Sequence, residues 1–211
     1  MVKLDFKKEY KDLYLPKTTP MVIDVPKMTF IMVNGKGNPN DPDGQYQKAV
    51  ELLYAITYTI KMSKMGDHVP DGYFEYVVPP LEGLWWMDEP NNFNFTEKDK
   101  YRWISMIRQP DFVTEEVFAW ASCEALNKKP HLQVDAARLE VYQEGLCVQC
   151  MHIGPYEDEV HTVEKIEAYI KEQGLENDMS EHRHHHEIYL SDPRKVDVSK
   201  MKTVLRHPVK Y

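Results

Sequence analysis

Two short stretches carry the side chains best suited to chemistry in this 211-residue chain. In EGLWWMD, Glu82 precedes Trp85 and Trp86, and in HEIYLSDP, Glu187 is followed two residues later by Tyr189. A carboxylate among aromatic rings suits recognition of flat molecules. Ring faces give a planar ligand wide apolar contact, and their quadrupoles favour a cation. A glutamate in an apolar cleft without a cationic neighbour gains proton affinity, so it can act as counter-charge, base or acid near neutral pH. Read as strands, the stretches sort by alternation. Glu187 and Tyr189 share one face, while Ile188 and Leu190 take the other. With helices expected on the purely apolar face, Glu82, Leu84 and Trp86 are expected to point into a groove with Glu187. Trp85 then belongs to the opposite face, in the core or against a neighbouring segment. The plainer alternative is that both indoles only fill core contacts.

Other motifs are weaker. The run EHRHHHEIYL holds His182, His184, His185 and His186, and the even-numbered three share a strand face, but Glu187 points the other way and no complete metal-ligand set results. Cys147 and Cys150 have CxxC spacing inside a strand-like stretch, where residues three apart face opposite ways, so a core or strand-surface role is expected rather than a redox or zinc site. VNGKGNPND lacks both the third glycine of a dinucleotide fingerprint and the ending of a phosphate loop, and no GxSxG element occurs. No metal and no cofactor is expected.

The elements that must hold these residues repeat along the chain. An apolar strand, a Gly/Asn/Pro loop and a long helix run from MTFIMV to KMSK, and the same order recurs from LCVQC to KEQG. Tyr46, Ala49, Val50, Leu53, Ile56 and Ile60 form one helical stripe, and Val160, Val163, Ile166 and Ile170 the other. Asp43 is the expected N-cap of the first helix and Gly174 the stop of the second. Two strand-like segments follow each helix: YFEYVV and LEGLWWM, then HHHEIYLS and KTVLRHPV. The pattern predicts a single α/β (α+β) domain over residues 1–211, with a first half at about 26–88 and a second at about 139–209, and a cleft between them. An aromatic helical insert is expected at about 89–138, with Thr114 as an N-cap, Val113 and Phe118 as its hydrophobic staple, and Trp103 and Trp120 available to a groove wall.

Composition narrows the classes. The formal net charge of −8, without a Lys/Arg-rich block, argues against a nucleic-acid partner. The 42% hydrophobic content is dispersed, without a run of the roughly 20 apolar residues a membrane span needs. The N-terminal residues carry no secretory core, so a cytoplasmic protein is expected.

VNGKGNPN, YQKAVELLYAITYTIK, PLEGLWW, IRQPDFVT, EGLCVQCMHIGPYEDE, HEIYLSDPRKV and KTVLRHPV, in this order, resemble the GyrI-like small-molecule-binding family over about Pro26 to Val209. The resemblance implies two pseudo-symmetric SHS2-type β-α-β-β half-modules around a ligand cleft. It also implies bulky, flat, hydrophobic or cationic aromatic ligands, with Glu187 at the position of the cleft carboxylate in the family's transcription regulators. The first 25 residues are short and proline-interrupted for a helix-turn-helix, so direct DNA binding is not expected. Some stand-alone members that look similar hydrolyse the strained ring of cyclopropanoid DNA-alkylating compounds with an aromatic cage. For that activity Glu187 is the expected water activator, with Glu82 as the alternative, and Tyr156 or Tyr189 the hydrogen-bond donor. Trp86, Tyr189 and Tyr156, with Trp103 or Trp120, are the expected walls. The alternatives are passive drug sequestration and modulation of DNA gyrase.

Overall fold

The computed structural model describes residues 3–88 and 97–211. A short strand β1 (Leu4–Asp5) and two single-turn helices, α1 (Phe6–Glu9) and α2 (Lys11–Tyr14), come first. The long strand β2 (Met21–Lys36) leads to α3 (Gln45–Met62), then β3 (Tyr76–Val77), β4 (Leu81–Trp86), β5 (Arg102–Arg108) and α4 (Glu115–Lys128). The second half runs β6 (Ala137–Ile153), α5 (Glu159–Glu172), β7 (Glu176–Asn177), β8 (His185–Tyr189) and β9 (Lys202–Lys210). The main sheet has the order β6-β2-β5-β4-β8-β9-β7, and β6 also pairs with β9. That extra pairing closes the sheet into a barrel-like core. Closure removes the long edges that an open antiparallel sheet would expose.

The repeat read from sequence is visible in the topology. β2-α3-β4-β5 and β6-α5-β8-β9 follow one order, and the halves meet at two antiparallel seams, β2 with β6 and β4 with β8. The strand membership differs from expectation in the first half. RWISMIR, expected inside the insert, is β5, and it lies between β2 and β4. Its residues Trp103, Ser105, Met106 and Ile107 are buried on both faces, so the stretch lacks the alternation that marks a half-exposed strand. YFEYVV has strand composition, yet only Tyr76–Val77 pairs, in parallel with β1. Composition does not supply a partner. Residues 89–96 of the expected insert lie outside the described residues, and α4 packs chiefly against α3.

The helix stripes are as the periodicity demands. Ala49, Leu53, Ile56 and Ile60 of α3 are buried in the main core, and Ile166 and Ile170 of α5 form a second cluster with Val148, Cys150 and Leu205. Thr114 caps α4 by accepting a hydrogen bond from the Val117 N–H. Asp43 does not cap α3: the extended N-cap residue is Gly44, one position later, without a side-chain bond. Gly174 stops α5 in the left-handed region at φ +67°, with its N–H donating to the Lys171 carbonyl and Leu175 N–H to that of Ile170. This paired arrangement satisfies the last free carbonyls of the helix. Among the described residues, no helix is long and apolar enough to cross a membrane.

Candidate functional site

The register of the central seam decides which residues meet. Gly83 stands opposite Glu187, Leu81 opposite Tyr189 and Trp85 opposite His185. Directly paired residues project from the same face. Trp85 therefore shares the face of Glu187 and Tyr189, whereas Glu82, Leu84 and Trp86 lie on the other with Ile188 and His186. The expectation for Trp85, Trp86 and Glu82 is thus reversed. The expectation set Glu82 on the face of Glu187, but pairing sets Gly83 there, and a difference of one residue moves every side chain to the opposite face. Both helices also lie on the Glu187 side: Tyr46 of α3 packs on Trp85, and Glu167 of α5 bonds His207. The site lies between the helices rather than behind the sheet.

Within this space a chain of hydrogen bonds fixes the rings. The Trp85 indole N–H donates to the Tyr189 hydroxyl at 3.0 Å, and that hydroxyl donates to Glu187 Oε2 at 2.7 Å. Gly83 makes the arrangement possible. A Cβ there would lie 2.6 Å from Trp85 Nε1 and 3.1 Å from the Tyr189 oxygen. Tyr46 lies 5.3 Å from Trp85 between ring centres, Tyr101 5.8 Å from Trp85, and Tyr156 5.8 Å edge-on to Tyr189. Trp103 is fully buried behind Tyr46, edge-on at 5.2 Å, and lies across Gly35 of β2. It supports the cluster from below.

A second carboxyl, unforeseen from sequence, joins the first. Glu159, in the first turn of α5, is only 2% exposed, and its Oε1 has no hydrogen-bond partner. Burial, and then the charge of Glu187, hold its carboxyl well above the usual range. Burial and the same two glutamates push the Tyr101 hydroxyl up to about 12, and Tyr156 and Tyr189 are also raised, chiefly by burial. The only sequence signal for Glu159 was its place in PYEDEVHTV: three acidic residues near a helix start read as a favourable dipole contact.

The remaining candidates go elsewhere. Glu82 is buried on the far face, where it accepts from the Tyr14 hydroxyl at 3.4 Å and contacts His186 Nε2 at 3.0 Å. His186 Nδ1 meets Glu144, which also binds Arg206 at 2.7 Å. Trp86, half-buried, stacks on His184 at 4.0 Å, and Trp120 stacks on His68, outside the Trp85 cluster among the described residues. The histidine run is therefore dispersed: His184 goes to Trp86, His185 to Glu187 and His207, and His186 to Glu82 and Glu144. Among the described residues, no group of three or more His, Cys, Asp or Glu side chains is arranged to hold a metal ion. Cys147 and Cys150 are buried in different core clusters, where burial pushes both thiols up.

This architecture has relatives. The profile of the GyrI-like small molecule binding domain matches residues 18–210. The chain belongs to the GyrI-like family. It is 53% identical to an uncharacterized conserved protein from Listeria innocua, with a TM-score of 0.94 over 99% of this chain and 100% of that one. A hydrolase from Listeria innocua is equally similar in sequence, at 53% over 99% of this chain and 100% of that one, with a TM-score of 0.88. The EcmrR C-terminal domain shares the fold at 12% identity and a TM-score of 0.55, covering 91% of this chain and 97% of that one. Curated protein sequences gave no match. As a GyrI-like domain, the chain is a small-molecule-binding module.

Proposed function

We propose that this GyrI-like protein hydrolyses planar aromatic molecules bearing a strained electrophilic ring, of the cyclopropanoid alkylator class, in an aromatic cage between α3 and α5. The observation that carries the reading is the carboxyl pair: Glu187, hydrogen-bonded by Tyr189, and Glu159, buried with its Oε1 unpartnered and its proton affinity raised by burial and by the charge of Glu187. A carboxyl with raised proton affinity close to a second carboxyl can supply an acid and a base to one site. Trp85, Tyr189, Tyr46, Tyr101 and Tyr156 would form the walls, a cytoplasmic setting fits such a protective role, and the hydrolase label of the Listeria innocua relative supports the reaction class.

In the reaction, Glu187 takes a proton from a water whose oxygen bonds to the ring methylene. The carbon–carbon bond breaks, and its electron pair moves into the conjugated dienone to give a phenolate. That oxygen receives a proton from Glu159 or Tyr156, so the sum is addition of one water. Tyr189 is not the donor, because its proton is committed to Glu187 and its oxygen accepts from Trp85. Aromatisation and strain relief drive ring opening, so positioning and modest acid–base assistance suffice.

Catalytic amounts of protein incubated with a cyclopropanoid alkylator in ¹⁸O-water should give labelled, ring-opened product well beyond one equivalent. Glu187→Gln should lose most of that turnover. Tight binding without product would instead make the protein a passive sequestering module with Glu187 as counter-charge.

A further inference from the structure

Glu187 has a second connection, which leads away from the Trp85–Tyr189 cluster. Its Oε1 lies 3.2 Å from His185 Nε2. On the other side of that ring, His185 Nδ1 lies 2.8 Å from His207 Nε2, and His207 Nδ1 lies 2.9 Å from Glu167 Oε1. His185 and His207 are buried and Glu187 nearly so, whereas the Glu167 side chain on α5 is 44% exposed. An unbroken line of titratable groups thus runs from the enclosed carboxylate, through β8 and β9, to the protein surface.

The proton inventory of this line is unusual. Three contacts need three bridging protons, and two neutral imidazoles supply two. In one arrangement the third proton sits on Glu187, and each ring donates outward from Nδ1. In the other it sits on Glu167, and each ring donates inward from Nε2. A shift of three protons, one across each contact, converts the first into the second and carries one positive charge from Glu187 to the surface. No ring has to turn over for that transfer. Burial lowers the proton affinity of His207, with Glu167 opposing and His185 adding to the effect. The Glu144 carboxylate of β6 also acts on His207 through space, while Asn177 donates to Glu167 at 3.2 Å and orients it.

We propose that His185, His207 and Glu167 form a proton wire through which the enclosed Glu187 exchanges its proton with bulk solvent. The proposal rests on the functional reading above only in giving Glu187 a proton to exchange. His185, His207 and Glu167 are relay residues acting through Glu187. The wire lets Glu187 reach its equilibrium protonation while a bulky ligand blocks the mouth of the cleft.

The test uses the full chain with ¹⁵N-labelled histidine, following exchange of the imidazole N–H protons of His185 and His207 with water by NMR saturation transfer. Glu167→Gln is conservative and lies at the surface, so folding should be retained, but an amide cannot carry the proton. Exchange should slow by about a hundredfold, the lower end of what a positioned proton carrier contributes. Signals too fast to observe in the native protein that emerge in Glu167→Gln have the same meaning. Added formate should restore exchange in the variant. Equal exchange rates in the two proteins, with chemical shifts showing the rings still hydrogen-bonded, would overturn the wire. The readout needs no ligand, so a protein that yields no ring-opened product yet shows Glu167-dependent exchange keeps the wire and loses the hydrolase reading, and the converse result does the reverse.

Discussion

At the scale of single residues, the two adjacent tryptophans have separate tasks. Trp85 is 4% exposed and sits among Tyr46, Tyr101 and Tyr189, with its N–H holding the hydroxyl that in turn holds Glu187. Trp86 is half-buried against His184 on the other face. Trp85→Ala should therefore abolish binding of a planar cationic dye and cost about 3–5 kcal/mol of stability, as removal of a buried large aromatic does. Trp86→Ala should cost less and leave dye affinity intact. Trp85→Phe separates the two effects, since it keeps a ring but loses the hydrogen bond. Fluorescence titration and urea denaturation of the three variants check this, and equal dye affinity in Trp85→Ala and Trp86→Ala would remove Trp85 from the site.

At the scale of elements, α5 carries both the buried Glu159 of the candidate site and the end of the proposed wire. Glu159 lies in its first turn and Glu167 two turns later, so the helix must be held in one register relative to β8 and β9. Gly174 fixes its end in a left-handed conformation, and no atom lies within 4 Å of where a Cβ would be. A substitution there reports backbone strain without a steric clash. Gly174→Ala should cost about 1 kcal/mol, the penalty for a side chain in the left-handed region. Urea midpoints measure it, and the site should retain its ligand affinity. No loss of stability would show that the helix end relaxes freely.

At the scale of the whole molecule, the far face of the sheet is joined by buried charges rather than by apolar contacts alone. Tyr14, Glu82, His186, Glu144, Arg206 and Gln149 link α2, β4, β8, β6 and β9, and Arg206 also donates to the Leu13 carbonyl. Burial alone would raise the Glu144 carboxyl, but the charges of His186 and Arg206 outweigh it and take it down to about 2. Burial would likewise lower His186, yet Glu144 and Glu82 raise it to about 9. The signs give opposite arms. The His186 contribution is complete below its ordinary value of 6.5 and is lost as pH rises toward 9. The Glu144 contribution is complete above 4.5 and is lost as pH falls toward 2. Thermal unfolding should therefore be most resistant between those limits. His186→Gln should be less stable at pH 6 and should show a flatter alkaline arm between pH 6.5 and 9. An unchanged alkaline arm would mean that His186 is neutral in the folded protein.

The sequence by itself determined the three long helices, the buried stripes of two of them, the cap at Thr114, the stop at Gly174 and the order of the two halves. Each rests on spacing within one segment or on a residue with narrow backbone preferences. It also placed Glu187 beside Tyr189, because neighbours two apart on a strand share a face wherever the strand goes. Three things were decided only by the tertiary structure. Register across the central seam set Gly83, rather than Glu82, opposite Glu187, and so brought Trp85 into the site and sent Trp86 out of it. Burial on both faces concealed β5, whose residues show no period to read. The docking of α5 buried Glu159 close enough to Glu187 for the charge there to add to burial in raising the Glu159 carboxyl. Pairing register, burial and charge coupling all depend on residues far apart in the chain, and no local pattern encodes the distance between them.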